Sequence, residues 1–375
     1  MNSKSASSAP STLCWCGSDK PYRDCHLDRD KQTPLQWHEI ANEFKRQFSK
    51  KFCMHPEMSP SVCSRTIVEA HSVSRSSNLN NIAEDGHVMQ FSFSLKHMIP
   101  NMGRLTAQRI GVRLASTFTG FCHHHDSSTF APIDQPIASL SGAHIFLLAY
   151  RAICREFFAK KAEMELTRTA RALDKGKDKC AQVAIQEFNH YRALGVQAGL
   201  SDLIAKKGEY DRALVGRNYD AISHYVIEFD HALPMACTIG FTPEVDFNGN
   251  RLQTLHAGTK HADLLTCSIT KTTQGSAIIF AWLKEPNGAC TRLINSLDEL
   301  KLHLLPSAIV RLIFEHGENV FFSQAWWNGL AEDEQRIIEN RANSFHHKPI
   351  NCLADDGRRP VLWSIVSRKK VIRSH

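Results

Sequence analysis

Apolar residues at helical spacing mark the first regular element of the chain, which begins at Pro34. The apolar side chains repeat every three or four residues and therefore share one face of a helix. These positions are Trp37, Ile40, Ala41, Phe44 and Phe48, with Lys45, Arg46, Lys50 and Lys51 outside the face. The pattern predicts a short amphipathic helix.

Longer helices are predicted from about residue 138 onward. An apolar stripe at helical spacing indicates the first helix. The stripe consists of Ile145, Leu148, Ala152, Ile153 and Phe157. The sequence predicts a break between helices at Leu173–Gly176. A second helix is predicted at about Lys179–Lys206 and a third near Tyr210–Arg217. We expect residues 138–222 to form a helical hairpin that serves as a scaffold.

The pattern changes again from Ser223, where short apolar runs predict β-strands. The predicted strands are Tyr225–Phe229, Ala236–Phe241 and Ala277–Trp282, and the predicted helices are Leu297–Phe314 and Leu330–Ala342. Asn248 and Gly249 form a turn signal. Residues 223–375 are therefore expected to form a C-terminal α+β region, and the predicted fold class of the whole chain is α+β.

The composition adds bounds on size and location. The chain has 375 residues, enough for two or three domains, with 42% hydrophobic and 22% charged residues as in ordinary globular proteins. No apolar run reaches the roughly 18 residues that span a bilayer, so we expect no membrane association. Residues 1–12 are polar and Ser-rich, which predicts a disordered tail rather than a signal peptide.

Cysteine usage and net charge narrow the class of protein further. Many of the 12 cysteines stand near histidines, which favours metal binding in a reducing cytoplasm over disulfides. The net charge of +7 is compatible with a nucleic-acid partner but does not require one. Phosphate-binding glycine loops, dinucleotide-binding motifs and the serine hydrolase elbow are absent from the sequence, which argues against those enzyme classes.

A tight group of metal-ligand residues lies within residues 13–33. Cys14 and Cys16 are two positions apart, and Cys25 and His26 are adjacent. Three thiolates and one imidazole complete a tetrahedral zinc shell that leaves no open position, so the zinc is expected to be structural. Gly17 allows the tight turn that such a short loop needs. Because this polar segment has little apolar area to bury, zinc is expected to supply most of its folding energy.

These residues resemble the SEC-C motif, the zinc knuckle at the end of the preprotein-translocase motor SecA. The resemblance rests on the ligand spacing, on the Cys16-Gly17-Ser18 sequence, and on Tyr22 three positions before Cys25. It implies that the knuckle is a docking surface for a protein partner.

A second set of candidate zinc ligands is predicted within residues 34–137. Cys53 and Cys63 flank a proline-containing loop, and Cys122 and His125 have the gap of a ligand pair at a helix start. One ligand pair on a loop and one at a helix start is the arrangement of a treble-clef zinc domain. The sequence thus predicts two structural zinc sites.

The segment between these two pairs resembles an HNH (ββα-metal) nuclease finger. The resemblance rests on Ala70-His71 at the end of a predicted strand and on the late Cys122-x-x-His125. It implies that His71 is the general base and that Asn81, or else Asn78 or Asn80, orients it. It also implies that His124, or else Asp126, occupies the last catalytic position, with one Mg²⁺ at the site.

Uncharacterised bacterial proteins among candidate phage-defence genes resemble the stretch from Cys53 to Ile133. Two functions therefore remain open. The first is a metal-dependent HNH-type nuclease that cleaves DNA or RNA in bacterial defence. The second is a non-catalytic, zinc-scaffolded module that binds protein or nucleic acid. The sequence does not determine the oligomeric state or the role of residues 223–375.

Overall fold

The computed structural model describes residues 12–91, 101–255, 261–344 and 349–373. Of the predicted disordered tail, residues 1–11 lie outside the described part of the chain. The α-helices are α1 Tyr22–Cys25, α2 Trp37–Phe48, α3 Asn80–Ile82, α4 His123–Phe130, α5 Gly142–Ala170, α6 Lys179–Val215, α7 Ala289–Asp298, α8 Leu305–His316, α9 Gln324–Gly329 and α10 Glu332–Ala342. The β-strands are β1 Ile67–His71, β2 His87–Phe91, β3 Ala107–Gly111, β4 Thr117–Cys122, β5 Ile222–Phe229, β6 Met235–Phe241, β7 Leu265–Lys271, β8 Ser276–Leu283, β9 Val320–Phe322 and β10 Ile365–Val371. The chain thus has the α+β class that the sequence predicted.

The chain divides into two compact units. Among the described residues, the first contains those from position 12 up to Phe48 together with Lys161–Gly199. The second contains Ser49–Lys160 together with the residues from Leu200 onward. These limits differ from the boundaries that the sequence suggested, because α2 groups with the knuckle and because α5 and α6 each contribute one part to each unit.

In the first unit, the end of α5 and the start of α6 form a helical hairpin. A 3-10 turn at Arg171–Asp174 follows α5, and Gly176 adopts a positive φ of 67° before α6 begins. The Asn189 side chain donates to the carbonyl of Ala170 at 2.8 Å and satisfies one of the orphan groups at the end of α5. The predicted break at Leu173–Gly176 is thereby confirmed.

In the second unit, an eight-stranded antiparallel sheet has the order β10-β5-β8-β7-β6-β9-β2-β3. Strands β2 and β3 come from the stretch predicted to be a zinc domain, and β2 joins the sheet by pairing Met89 with Phe322 of β9. The three predicted strands correspond to β5, β6 and β8 and are confirmed. A separate two-stranded sheet pairs β1 with β4, and α4 follows β4 directly.

Both faces of the large sheet are covered at β8, which explains why this strand lacks an apolar–polar alternation. Along β8 every residue is buried, and successive side chains point to opposite faces. Phe280 belongs to the core that includes residues of α7 and α8, such as Leu293 and Ile309. Ile279, on the other face, packs in the core that includes Phe146 of α5. A strand buried on both sides reads as a continuous apolar run.

Two helix predictions were wrong in their boundaries. The predicted helix Leu297–Phe314 begins too early, because α7 ends at Asp298 and α8 starts only at Leu305, where Pro306 lacks an N–H and fits the first turn of a helix. The predicted helices at Lys179–Lys206 and Tyr210–Arg217 are one continuous helix, α6. The intervening Gly208 is tolerated there, since glycine inside a helix costs only about 1 kcal/mol. Within the described residues, none of the helices is both long enough and apolar enough to cross a membrane.

The burial of Phe280 in the sheet gives a direct test of this packing. We expect Phe280→Ala to lower the free energy of unfolding by about 3–5 kcal/mol, because it removes a fully buried ring and leaves a cavity. Urea denaturation followed by circular dichroism measures the change. Leu362→Ala is the matched control, since Leu362 is 90% exposed and its truncation should stay within about 0.5 kcal/mol. Equal losses in both variants would contradict the assigned core.

Candidate metal centres

The first cluster contains the four predicted ligands of the knuckle. The ligand atoms of Cys14, Cys16, Cys25 and His26 all lie within 4.8 Å of one another. The Nδ1 atom of His26 is 3.1 Å from the Cys14 sulfur and 3.2 Å from the Cys25 sulfur. Cys14 and His26 are buried, although the surrounding segment is mostly exposed. The structure therefore brings together the set that the sequence predicted at this position.

Backbone turns place these four side chains around one point. Gly17 donates its N–H to the carbonyl of Cys14 at 3.2 Å, and it adopts a positive φ of 69° that favours glycine. Cys14 donates in turn to the carbonyl of Lys20 at 2.8 Å and closes the loop. The helical turn α1 then presents Cys25, and His26 follows it as the C-terminal cap.

The other nitrogen of His26 contacts a distant carboxylate. Nε2 lies 2.8 Å from Oδ2 of Asp174, which is completely buried in the turn before α6. Because a carboxylate accepts, Nε2 carries the proton and Nδ1 presents its lone pair to the sulfurs. Burial acts to raise the pKa of Asp174, but hydrogen bonds from Gln186, Arg29 and His26 outweigh it and lower that pKa.

The second cluster joins residues that are up to 72 positions apart. The ligand atoms of Cys53, Cys63, Cys122 and His125 also lie within 4.8 Å of one another. Nδ1 of His125 is 3.4 Å from the Cys53 sulfur, 3.6 Å from the Cys63 sulfur and 3.3 Å from the Cys122 sulfur. Cys122 ends β4 and caps α4, and His125 lies in the first turn of that helix.

Strand pairing brings the first pair of this cluster to the second. Met54, next to Cys53, donates its N–H to the carbonyl of Gly120 in β4 at 3.0 Å. A glycine suits position 120, because a Cβ atom there would meet the end of the Met54 side chain and lie under 3 Å from the ring of Phe118. The imidazole of His55 stacks on that of His125 with ring centroids 4.0 Å apart. Burial, helped by the charges of His125 and Lys207, lowers the pKa of His55 to about 4, so this ring is neutral.

A buried lysine of α6 holds the loop that carries Cys53. Nζ of Lys207 donates to the carbonyl of Met54 at 2.8 Å and to both carboxylate oxygens of Asp211 at 2.8 Å. The hydroxyl of Tyr150 donates to the same carboxylate at 2.8 Å. Lys207 is therefore a buried charge that is paired and hydrogen-bonded, as burial of a charge requires.

Both donor sets fit a zinc ion. Tetrahedral zinc with bonds of about 2.3 Å to sulfur and 2.0–2.1 Å to nitrogen places its ligand atoms roughly 3.5–3.8 Å apart. Ligand atoms lie 3.1, 3.2 and 3.6 Å apart in the first cluster and 3.3, 3.4 and 3.6 Å apart in the second, all within about 0.4 Å of this range. Burial raises the pKa of Cys14 and of Cys53 to about 11, and a bound divalent cation would offset this by favouring the thiolates. Two Cys/His clusters of this protein could thus hold zinc, and each offers a closed shell of four ligands.

His71, the predicted general base, is the last residue of β1 and is half-buried. Its Nε2 lies 3.3 Å from the carbonyl oxygen of Val112. A carbonyl only accepts, so Nε2 carries the proton and Nδ1 has the free lone pair. The pKa of His71 is lowered, mainly by burial and also by the positive charges of Arg75 and Arg151. The hydrogen bond to the Val112 carbonyl acts in the opposite direction and raises this pKa, but burial outweighs it.

The other two predicted catalytic residues have different contacts. The side-chain oxygen of Asn81 accepts a hydrogen bond from Nζ of Lys271 at 2.8 Å. His124 is exposed, and its ring contacts that of His125, with centroids 5.1 Å apart. The contacts described for His71 include neither residue.

Asp126, the alternative to His124, interacts with Arg151 and Asp134, whose charges also act on His71. Burial raises the pKa of Asp126, Arg151 opposes this rise, and Asp134 adds to it. Arg151 is buried and donates to the carboxylate of Asp134 at 2.9 Å. We name His71, Arg75, Asp126, Asp134 and Arg151 the His71 cluster.

For the predicted Mg²⁺, the described residues near His71 provide two carboxylates, those of Asp126 and Asp134. Among all the described residues, groups of three or more metal-ligating side chains within mutual reach occur only at the two Cys/His clusters. Mg²⁺ is commonly held by one or two carboxylates together with the phosphate of a substrate. Asp126 and Asp134 of the His71 cluster fit that role only with a phosphate present.

Sequence reasoning missed the residues that support the ligands. Asp174 lies 148 positions from His26, and Lys207 lies 153 positions from Met54. In the sequence each is one charged residue among many, so no local signal distinguishes it.

Comparison with known proteins identifies the first cluster only. The sequence model of the SEC-C motif matches residues 11–28, which include all four ligands of the knuckle. No curated protein and no solved structure matches the chain. The match therefore characterises this motif and leaves the family of the chain as a whole undefined.

The two clusters predict the zinc content. We expect about two zinc ions per chain by elemental analysis, falling to one in Cys25→Ser and to one in Cys63→Ser, because each change breaks one shell. Cys180→Ser is the matched control, because Cys180 is exposed and belongs to neither cluster. A single zinc in the native chain, or a loss in the control, would contradict the assignment.

Lys207 provides a second test. We expect Lys207→Met to lower the free energy of unfolding by about 3–5 kcal/mol, because it leaves Asp211 without its buried partner. The variant should also release the zinc of the second cluster at lower chelator concentration. Denaturant unfolding and chelator titration measure the two effects. Lys31→Met is the control, since its ion pair with Asp28 is exposed to solvent, so this change should alter neither stability nor zinc retention. An unaltered second site in Lys207→Met would refute the supporting role.

Proposed function

We propose that the second zinc site scaffolds a metal-dependent nuclease of HNH type, with His71 as its general base. The observation that carries this proposal is the state of His71 at the end of β1. Its Nε2–H is directed to the carbonyl of Val112, and its lowered pKa keeps the ring neutral at pH 7. Nδ1 is therefore the atom that can take a proton from water.

The arrangement around His71 also supports this activity. Strands β1 and β4 form a two-stranded antiparallel sheet, and α4 follows β4 with Cys122 and His125 at its start. A zinc ion at that point would fix the end of β4 to the start of α4. This arrangement supports the proposal of a treble-clef or ββα finger, which the sequence resemblance implies.

The charges of the His71 cluster suit a phosphodiester. Arg75 and Arg151 carry positive charge near His71, and a guanidinium attracts a phosphate and its developing negative charge. Asp126 replaces His124 in the proposed site because it interacts with Arg151 and Asp134 of the same cluster. When bound through these carboxylates and the phosphate, Mg²⁺ would stabilise the charge that develops on the phosphate. His71 would take the proton of the attacking water, and the Val112 carbonyl would hold its ring in place.

A second candidate function is a non-catalytic binding module. The side-chain oxygen of Asn81 already accepts a hydrogen bond from Lys271. Each zinc shell has four protein ligands, so neither zinc ion would have an open coordination position for catalysis. Around the knuckle, Leu13, Trp15 and Leu27 are exposed. These apolar side chains support the proposal that the knuckle contacts a protein partner, with or without nuclease activity.

The proposed cellular compartment and biological role rest on the cysteines and on the sequence resemblance. We propose a reducing cytoplasm because none of the 12 cysteines, all of which the structure describes, forms a disulfide. The resemblance to bacterial proteins among candidate phage-defence genes is the sole support for a role in defence.

A cleavage assay tests the nuclease proposal. With zinc-loaded protein, supercoiled plasmid or RNA, and Mg²⁺ or Mn²⁺, we expect cleavage that falls at least about 100-fold in His71→Ala, the loss typical of a removed general base. The rate should decline only below about pH 6.5, because His71 must be unprotonated and its pKa is lowered. Gel electrophoresis at a series of pH values measures both.

His87→Ala is the matched control, because His87 is exposed and its ring contacts the carbonyl of Asp85. This variant should cleave at the native rate. Equal cleavage by the native chain and His71→Ala would rule out His71 as the base. Nucleic-acid binding without cleavage by either protein would instead favour the binding module.

A further inference from the structure

Asp174 is a buried carboxylate that accepts hydrogen bonds from three side chains. It lies in the 3-10 turn between α5 and α6 and has no exposed surface. Gln186 and His26 donate to Oδ2 at 2.7 and 2.8 Å. Arg29 donates from Nε to Oδ1 at 2.8 Å. A carboxylate buried in this way stays ionised because its oxygens accept charge-assisted hydrogen bonds.

The contact with His26 links this carboxylate to the knuckle ligands. The imidazole of His26 stands between Asp174 on its Nε2 side and two cysteine sulfurs on its Nδ1 side. An imidazole that binds zinc through one nitrogen commonly donates the N–H of its other nitrogen to a carboxylate. Such a partner fixes the tautomer and ring orientation and makes the ligand nitrogen more basic.

We propose that Asp174 is the outer-shell carboxylate of the knuckle zinc, and that zinc binding and the order of the turn at residues 171–178 depend on each other. This inference rests on the zinc assignment of the first cluster and not on nuclease activity. Asp174 acts as a positioning residue, because it contacts a ligand of the metal and not the metal itself.

Further contacts couple the same turn to the knuckle. Arg29 donates to the carbonyl of Arg171 at 3.1 Å, and the N–H of Gly176 donates to the carbonyl of Arg29 at 3.0 Å. A Cβ atom on Gly176 would lie 2.6 Å from the ring of Pro34. The ammonium of Lys179 lies 4.3 Å from the ring centroid of Trp15. The segment that follows the last zinc ligand is therefore packed closely on the turn.

Two consequences follow from this arrangement. Removing the zinc should free His26 to change tautomer or rotate, which would weaken its link to Asp174 in the turn. Amide hydrogens of residues 171–178 should then exchange faster with solvent. In the other direction, removing the carboxylate should weaken zinc binding, although Asp174 is remote from the motif in sequence.

Zinc affinity measured by chelator competition tests the first half of the proposal. The full chain with Cys63→Ser leaves the knuckle as the remaining cluster of four ligands. In this background we expect Asp174→Asn to weaken zinc binding about 10–100-fold, the usual effect of an outer-shell change. Asp178→Asn is the matched control, because Asp178 lies in the same turn and caps α6 through the N–H of Ala181. Its affinity should stay within about twofold of the native value, since asparagine caps as well as aspartate.

A double-mutant cycle separates positioning from general stability. His26→Cys keeps four zinc ligands but removes the imidazole that Asp174 orients. In that background Asp174→Asn should cause no further loss of zinc affinity. The same 10–100-fold loss with His26→Cys would show that Asp174 merely stabilises the turn, and would overturn the proposal. Native zinc affinity in folded Asp174→Asn would overturn it as well.

Two further measurements guard against misfolding. Circular dichroism reports whether each variant retains its helices, and Asp174→Glu gives a second reading should Asp174→Asn fail to fold. The glutamate keeps the charge but displaces it, so its zinc affinity should lie between those of the native chain and Asp174→Asn. Hydrogen exchange with and without zinc tests the second half of the proposal. Unchanged exchange at residues 171–178 would contradict it.

Discussion

The close approach of three sulfurs and one imidazole, which occurs in each of the two Cys/His clusters, is the constraint on which this structure depends. Four ligand atoms within 4.8 Å of one another bring several thiols into buried or half-buried positions. Thiolates so close together repel one another unless a cation lies between them. Zinc satisfies this requirement with a closed tetrahedral shell, and it would stabilise segments with little apolar surface of their own.

Each cluster is supported by a buried charged residue from a helical segment. Asp174 orients His26 in the first unit, and Lys207 holds the carbonyl next to Cys53 in the second. Both residues use hydrogen bonds to fix the geometry of a ligand or of its backbone. Buried charges are costly unless they are fully paired, so each supports a defined arrangement of the cluster beside it.

The large sheet shows how tertiary packing shapes the sequence pattern. Strands β5, β6 and β8 were predictable because most of their residues are buried and each contains a short run rich in apolar residues. Strand β10 was not predicted, since it lies at the sheet edge and carries Arg368, Lys369 and Lys370. Strands β2 and β3 complete the same sheet from a stretch that the sequence assigned to a separate zinc domain.

The sequence by itself determined the eight candidate zinc ligands and the α+β class. It also determined three core strands and the positions at which the two long helices start. These features depend on residue type and on spacing within short windows, where side-chain chemistry and backbone period act directly. Only the tertiary structure decided which residues support the ligands, that Asn81 bonds to Lys271, and that Val112 contacts His71. Those partners are single polar groups brought together from distant positions, so their roles follow from where the folded chain places them and not from any local pattern.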